Sequence, residues 1–462
     1  MHWLTTIAYG APALGTAFYL FFIQFYFLKF STDVLLAPPA IMGLLFGLGR
    51  VWDALTDPLV GYWSDRTRTR IGRRRPWMLA SIPLLCVFSL MVWSPPVSVT
   101  GGALIAWSAV ALLGFYDAYT CYSIPHASLG PELSLDHHER SRVFGVYRVA
   151  FVLGMMMAFV GIGYAADHED PRGAAITVAT VAAVAATVLL LVPLPFLTER
   201  EEFAGRAARS PWSALSDVWD NSHARVLLAA WFAEGLGGGA LGVLAPYLAE
   251  YVLERPDLIA VIPAFYIIAS VVSIPAWILL SRKYGKRRVW RCSLVGAAFC
   301  FSLTLLVQPG QLGLLALVLV GAGFTNGCGG TIGASMLADC IDFDEWRTGE
   351  RKEGAYSAAW GFAIKASIAC VIVGTGVALQ LSGFIPNARQ TPTALWTLRG
   401  LFAGLPVISA TLAFFLLRGF SLDEAEHRRI RLELDQRQEP TSIASNRSEP
   451  GSLPQPVARE TS

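Results

Sequence analysis

Charge is scarce in this sequence. Of 462 residues only 15% are Asp, Glu, Lys or Arg, against about 25% in an ordinary soluble protein, while 54% are hydrophobic and the mean hydropathy is +0.50. That shortage excludes a water-exposed globular surface and reads as an integral membrane protein. A net charge of +2 gives no reason to invoke nucleic acid. The seven cysteines (Cys86, Cys121, Cys292, Cys300, Cys328, Cys340 and Cys370) lie mostly in apolar stretches without paired spacing, so they read as small core residues rather than disulfides or metal ligands. There is no C-x-x-C pair, no phosphate-binding loop and no His/Asp/Glu/Cys constellation of the kind catalysis needs. An enzyme is therefore not expected, nor a cofactor. The N-terminus has neither a charged region nor a cleavage site, and the first apolar run is expected to stay as a helix.

What is present is a series of apolar runs long enough to span a bilayer, each of roughly 20 residues or more. They fall at 4–30, 38–63, 77–96, 102–124, 143–166, 174–196, 225–252, 258–280, 289–308, 312–337, 356–383 and 398–419. The fold class is thus an all-α membrane protein of twelve transmembrane helices. Each even-numbered run up to the tenth exits into a basic loop: Arg66 to Arg75, Arg140 and Arg142, Arg200 to Arg209, Arg282 to Arg288, and Arg347 to Lys352. By the positive-inside rule those loops and both termini are cytoplasmic, in the plasma (inner) membrane.

The chain also repeats weakly. Pro58, Gly61, Asp65, Arg66, Gly72 and Arg73 have an echo six helices later in Pro275, Arg282, Gly285, Lys286 and Arg287. The expected organisation is two pseudo-symmetric six-helix lobes, 1–196 and 225–419, joined by a cytoplasmic linker at 197–224 and followed by a cytoplasmic tail at 420–462. In such two-lobed transporters the substrate site lies near mid-membrane between the lobes. Within the tail, SLDEAEHRRIRLELDQ is predicted as an amphipathic helix at the membrane surface, followed by a disordered stretch.

The densest chemistry is GLGRVWDALTDPLVGYWSDRTRTRIGRRRPW, from Gly47 to Trp77. Asp53 and Asp57 lie four residues apart, about one helical turn, and so share a face. A carboxylate at the bilayer centre costs at least about 2.5 kcal/mol. Two on one face repel unless a cation sits between them or a proton neutralises one. Arg50, one turn earlier, can pair with Asp53, but one arginine cannot neutralise two acids. The competing structural reading is an ion pair that merely locks helices together. Counted from Ser64, Asp57 lies about 10 Å and Asp53 about 16 Å into the helix.

Four segments, YG…TDV (Tyr9 to Val34), RVWDALTDPLVGYWSDRTRTRIGRRRPW, SIPHASLGPELSLDHHERSRVFGVYR and ADCIDFDEWRTGERKEGAYSAAWGFAIK, resemble the glycoside-pentoside-hexuronide:cation symporters of the major facilitator superfamily, the group of melibiose permease. The resemblance covers the whole membrane domain and stops at the tail. It implies a major facilitator fold and cation-coupled symport of a small solute by alternating access. Its cation site maps onto Asp53, Asp57, Thr56 and Thr120, all oxygen ligands suited to Na⁺, or to H⁺ through the carboxyls. Its helix-11 lysine maps onto Lys365, its helix-5 arginine onto Arg148 and its helix-4 tyrosine onto Tyr119. Lys365 is expected either to approach the helix-2 acids and compete with the cation or to bind substrate directly. The two acids that grip sugar in melibiose-type proteins are replaced by Ala17 and Ser123.

Substrate is therefore expected among Tyr119, Ser123, Arg148, Lys365, Gln24 and Glu234, with Asp117 and Asn326 as further polar candidates. The glycines after Glu234 suit a moving gate. Arg50, Asp65, Arg66 and Arg73 are expected to couple and gate; Arg148 needs a partner acid, whereas Lys29 at the end of helix 1 is expected to snorkel. The substrate is expected to be a glycoside or other sugar. The alternative is a lysolipid or other amphiphile, since the animal lysolipid:sodium symporters share the fold and the acid pair and have a similar helix-4 segment. That reading calls for a lateral apolar opening beside helix 5 or helix 8. A membrane sensor or enzyme is the remote third reading. The aromatic stripe Phe18, Tyr19, Phe21, Phe22, Phe25, Tyr26 and Phe27 either packs the core or lines the ligand. A monomer in the lipid bilayer is expected.

Overall fold

Helical periodicity runs through nearly the whole chain because backbone polar groups in hydrocarbon must be satisfied within their own segment. The computed structural model describes residues 3–133, 137–197, 199, 216, 218–350 and 352–445. The long helices are α1 (Trp3–Lys29), α2 (Pro39–Arg66), α3 (Arg75–Trp93), α4 (Gly101–Leu129), α5 (His137–Asp167), α6 (Pro171–Leu191), α7 (Ser222–Tyr247), α8 (Val261–Tyr284), α9 (Lys286–Leu303), α10 (Leu312–Thr348), α11 (Glu353–Leu381), α12 (Pro392–Leu416) and α13 (Glu424–Ser445). Eleven of the first twelve are long and apolar enough to cross a membrane. The twelfth, α2, has the length, but Arg50, Asp53 and Asp57 interrupt its apolar run.

Two lobes follow from which helices touch. In the first, α1 packs on α5 and α6, and α4 on α2 and α3. In the second, α8 packs on α10, α12 on α7, and α9 on both α10 and α12. The repeat is visible in detail: α1 and α7 each end in a π-helical turn, Phe30–Val34 and Leu248–Val252. Helix ends are built from local chemistry. Asp170, Asn221 and Thr391 accept backbone N–H groups at the starts of α6, α7 and α12. Gly349 closes α10 at φ 73°, the left-handed conformation that favours glycine.

Several boundaries differ from the sequence expectation. The acidic segment after the tenth apolar run is not a loop: α10 continues as helix through Asp339, Asp342 and Asp344 to Thr348. Most of the 197–224 linker lies outside the described residues, as does the tail beyond Ser445. The tail helix α13 forms, but against protein rather than at a lipid surface. His427 Nε2 lies 3.0 Å from Asp342, Arg431 3.4 Å from the same carboxylate, and Trp346 Nε1 donates to Glu433 at 2.6 Å, while Ile430 and Leu434 are buried. The acidic row on α10 supplies the carboxylates that those basic side chains meet.

The aromatic stripe of α1 mostly packs. Phe22 and Tyr26 lie against Trp93, with ring centroids 4.3 and 5.8 Å apart, and Phe21 and Phe25 against Phe159.

The lobes meet along two seams. In the first, antiparallel α2 and α11 approach backbone to backbone. A Cβ on Gly43 would lie 2.9 Å from the Ile372 carbonyl, and one on Gly376 would lie 2.4 Å from the Pro39 carbonyl. Small residues are what permit such an approach. In the second, α1 meets α7 at the face opposite the Arg66–Arg75 loop. Here Lys29 corrects the snorkelling expectation: it is 5% exposed, pairs with Asp33 at 2.5 Å and reaches Glu250 of the other lobe. Asp33 also accepts from Tyr251 at 2.6 Å, Thr32 shares a 2.9 Å hydrogen bond with Tyr247, and Asn387 donates to the Asp33 carbonyl at 2.7 Å. A buried ammonium between two carboxylates is more stable there than a lone lysine reaching for water.

Replacing Gly376 with leucine should force α2 and α11 apart, lowering the melting temperature by an overpacking cost of about 1–3 kcal/mol. A differential scan in detergent reads it, and an unchanged midpoint would contradict the close seam. Removing the ammonium in Lys29→Met leaves two carboxylates facing each other. The α1 and α7 ends should then separate, by at least about tenfold in population for each 1.4 kcal/mol lost. Spin-label distances across that face in a cysteine-free background measure this, with Lys29→Arg retaining the closed distance.

Candidate functional site

The first carboxylate, Asp53, sits mid-way along α2 and is 1% exposed. Its Oδ1 accepts the Thr120 hydroxyl of α4 at 2.9 Å, and its Oδ2 faces Arg50 Nη1 at 3.5 Å. One turn on, Asp57 Oδ1 faces the same Thr120 hydroxyl at 3.2 Å. A hydroxyl has one proton to donate, so Thr120 can serve both acids only by sharing or alternating it.

Lys365 arrives from α11 in the other lobe. Its ammonium lies 2.9 Å from Asp53 Oδ2 and 2.5 Å from Asp57 Oδ2. Two acids and two cations therefore make a cluster of formal charge zero, resolving the imbalance that Arg50 alone leaves. Arg50 is itself buried, its guanidinium 5.6 Å from the centre of the Tyr116 ring. Access is one-sided: the Asp57 and Lys365 side chains are 25% and 20% exposed.

Thr56 is not drawn onto the acids, because its hydroxyl donates to its own helix at the Asp53 carbonyl, 3.2 Å away. Tyr119 is half-buried with its ring against Phe115, and Ser123 and Gln24 are half-buried on α4 and α1. Arg148 departs from expectation: it is exposed, its guanidinium is 5.7 Å from the centre of the Phe151 ring, and no acid pairs with it among the described residues. Glu234 lies inside the second lobe, accepting from Trp290 Nε1 at 2.9 Å, away from the acid pair. Asp117 accepts from Trp52 Nε1 at 2.8 Å, and Asn326 donates to Ser270 at 3.2 Å.

The expected gating residues form a network within the first lobe. Asp65 pairs with Arg74 at 2.8 Å, and Arg73 with Glu132 at 2.6 Å. Arg66 stacks on Tyr62 at 3.5 Å and makes no ion pair among the described residues. Glu199 accepts the backbone N–H groups of Arg73, Arg74 and Arg75 at 2.9, 3.0 and 3.2 Å, placing a carboxylate at the positive end of α3. Gly72, at φ 117°, leaves room for it, since a Cβ would meet Glu199 at 2.4 Å.

Glu132, Glu199, Glu250, Tyr251 and Asn387 were not singled out from the sequence. Glu250 and Tyr251 carried a signal, a carboxylate and a phenol closing an otherwise apolar helix. Asn387, in a short polar turn, carried none.

With this geometry in place, comparison with known proteins is informative. A putative glycoside/cation symporter (YagG) of Escherichia coli is 27% identical, over 91% of this chain and 92% of its own length. The isoprimeverose transporter of Lactiplantibacillus pentosus is 24% identical over 92% and 90%. A sodium-dependent lysophosphatidylcholine symporter of Gallus gallus is 23% identical over 94% and 89%. Among solved structures, a bacterial homologue of the lysosomal transporter Spinster superposes with a TM-score of 0.69 at 12% identity, covering 90% of this chain and 97% of that one. The nucleoside transporter NupG superposes at 0.67 with 13% identity, covering 91% and 100%. These structures share the fold. The model of one transporter family matches residues 8–424, nearly all of the membrane domain, and by that match the chain belongs to the MFS/sugar transport protein family.

Proposed function

We propose that this protein is a cation-coupled sugar symporter of the inner membrane, a monomer with both termini in the cytoplasm. The observation that carries the reading is the Lys365 ammonium lying between Asp53 and Asp57, 2.9 and 2.5 Å from their oxygens. An ammonium held by two carboxylates occupies the place a coupling Na⁺, or a proton on either acid, would take. Thr120 supplies a further oxygen; Thr56 is a ligand only if its hydroxyl leaves the Asp53 carbonyl. Asp57 is the exchangeable carboxylate, because it is the exposed one, while Arg50 stays with Asp53.

Coupling then follows from charge. Adding a monovalent cation to a neutral cluster leaves one positive charge in excess, which favours releasing Lys365. The freed ammonium belongs to α11 and the acids to α2, so releasing it unties one seam between the lobes. Substrate sits beside this seam, among Tyr119, Ser123, Arg148, Lys365, Gln24 and Glu234. The exposed Asp57 and Lys365, with the Lys29–Asp33–Glu250 latch closed, correspond to the state open to the cytoplasm. Relatives named as a glycoside/cation symporter and an isoprimeverose transporter support a sugar as cargo.

The amphiphile reading has a specific observation of its own. An apolar groove of about 780 Å³ lies between α2, α7, α11 and α12, lined by Leu55, Pro58, Phe232, Phe362 and Leu412. It lies along the helices that carry Asp57 and Lys365, and a second apolar groove, of about 400 Å³, runs beside α5 between α1 and α6, along Met157, Val160 and Gly161.

In proteoliposomes, wild-type protein should accumulate a radiolabelled methyl glycoside under an imposed Na⁺ or H⁺ gradient, and the gradient that works identifies the ion. Asp57→Asn should retain exchange but lose concentrative uptake entirely; full accumulation by that variant would falsify the coupling site. Lys365→Ala removes the competing ammonium. We expect it to bind the coupling cation at least about tenfold more tightly, equivalent to about 1.4 kcal/mol, while uptake becomes uncoupled. The cation concentration giving half of the thermal shift measures this, and weaker binding would contradict Lys365 as competitor.

A further inference from the structure

The second lobe holds a cluster that the cation chemistry does not use. Trp231, Glu234 and Gly238 lie three and four residues apart on one face of α7. Facing them on α10 are Gly329 and Gly333, four residues apart. The Trp231 ring stacks on Trp360 of α11 with centroids 4.1 Å apart, and Trp290 of α9 meets Trp231 edge-on at 6.1 Å.

The glycines shape this cluster. A Cβ on Gly333 would come within 3.0 Å of both Trp290 and Trp360 and 3.4 Å of Trp231. A Cβ on Gly329 would collide with both Glu234 oxygens, at 2.2 and 2.5 Å, so the missing side chain is what admits the carboxylate. Around Gly238, Gly330 and Gly361 the reverse holds: an added Cβ would meet nothing within 4 Å, and Gly238 and Gly330 are exposed. Each of the three helices is thus open at a glycine within about one turn of the cluster: Gly238 after Glu234, Gly330 after Gly329 and Gly361 after Trp360.

The polar groups are incompletely used. Glu234 accepts from Trp290 through Oε2, and no cation pairs with it among the described residues. Trp231 Nε1 is buried without a hydrogen-bond partner. In a membrane domain an unpaired carboxylate and an unpaired N–H are both costly, and such groups mark functional sites. Trp360 is five residues before Lys365, about 7.5 Å along α11, so the cluster adjoins the lobe seam.

We propose that Glu234, with the Trp231–Trp360 pair, forms the subsite for the sugar ring, selecting a neutral glycoside. This deepens the sugar reading above and rests on it. A carboxylate accepts two vicinal hydroxyls, charge-assisted and therefore strong. Indole faces present flat apolar surface to the C–H face of a pyranose. With no cation beside Glu234 among the described residues, nothing at this subsite pairs with a hexuronide carboxylate. Ala17 and Ser123 offer no carboxylate from the first lobe, so the acceptor of the sugar hydroxyls comes from the second.

The test is equilibrium binding to the purified full-length protein, read by tryptophan fluorescence, in NaCl and in Na⁺-free buffer at acidic pH. The probes are nitrophenyl glucoside, galactoside, xyloside and glucuronide. Wild type should bind at least one neutral glycoside, with an indole signal, and bind the glucuronide more weakly. Glu234→Gln should weaken neutral-glycoside binding about ten- to a hundredfold, the worth of a hydrogen bond to a charged group. Gly330→Leu adds bulk next to Gly329 at a position where a Cβ meets nothing within 4 Å, so it should abolish binding while leaving the melting temperature near wild type. It keeps the test decisive if the Glu234 variant fails to fold. Wild-type affinity in Gly330→Leu or in a folded Glu234→Gln overturns the subsite while leaving the sugar reading intact, as does preference for the glucuronide. A wild-type protein that binds none of the four probes overturns the sugar reading and the subsite with it.

Discussion

The structure turns on one ammonium crossing between lobes. Lys365 belongs to α11 and its two partners to α2, and the first of these, Asp53, is sealed at 1% exposure and cannot turn to bulk water cheaply. Ion pairs are weak at a wet surface and strong in a low-dielectric interior. The cluster of Arg50, Asp53, Asp57 and Lys365 is therefore a set of mutual obligations. Asp57 depends on Lys365 for its compensation, whereas Asp53 also keeps Arg50. Moving α11 away from α2 strips one cation from a site that holds two acids, so lobe separation requires a replacement cation or a proton. The backbone serves this contact. The Gly43, Gly47 and Gly376 seam sets how close the helices run, and antiparallel packing carries that approach down to Asp57.

Two lobes of the same build have divided the chemistry. The π-helical turns that close both α1 and α7 are a clear mark of the common plan, and at that face they meet through Lys29, Asp33, Glu250, Tyr247 and Tyr251. Deeper in, the likeness stops. The first lobe has its acids on α2, bound by a threonine and an arginine. The second has glycines, indoles and Glu234. Symmetric scaffolds with asymmetric contents let one side respond to charge while the other responds to shape.

How much of this could be read from the sequence depended on whether the partner was near or far in the chain. The pairing of Asp53 with Arg50 and the shared face of Asp53 and Asp57 follow from spacing alone, since the helix fixes them. The depth of Lys365 marked it as unable to reach water, which left an acid or a substrate as its partner. Lys29 was misread for the opposite reason. A lysine at a helix end with apolar neighbours is ordinarily free to snorkel, and Glu250, which buries it, is 221 residues away on another lobe. The tail helix was misread similarly: basic residues on an amphipathic segment suit lipid headgroups as well as they suit Asp339 and Asp342. Local pattern shows which face a residue occupies and is silent about what covers that face. The Trp231–Trp290–Trp360 cluster illustrates the limit, since three indoles on three helices share no spacing.

The unequal exposure of the two acids gives the site a direction. Asp53 is almost sealed, bonded to Thr120 and flanked by Arg50 on its own helix, so its charge is compensated even when Lys365 moves. Asp57 has no arginine of its own. Without Lys365 it keeps only a share of one hydroxyl, and it is the carboxylate that the open side reaches. In the proposed cycle an arriving cation therefore meets first the acid whose compensation is removable, and it displaces an ammonium that can leave with the other lobe. Reversing the two environments would bury the exchangeable acid behind the permanent one. Arg50, one turn to the sealed side of Asp53, fixes the order, and a cation entering here encounters the movable charge before the fixed one.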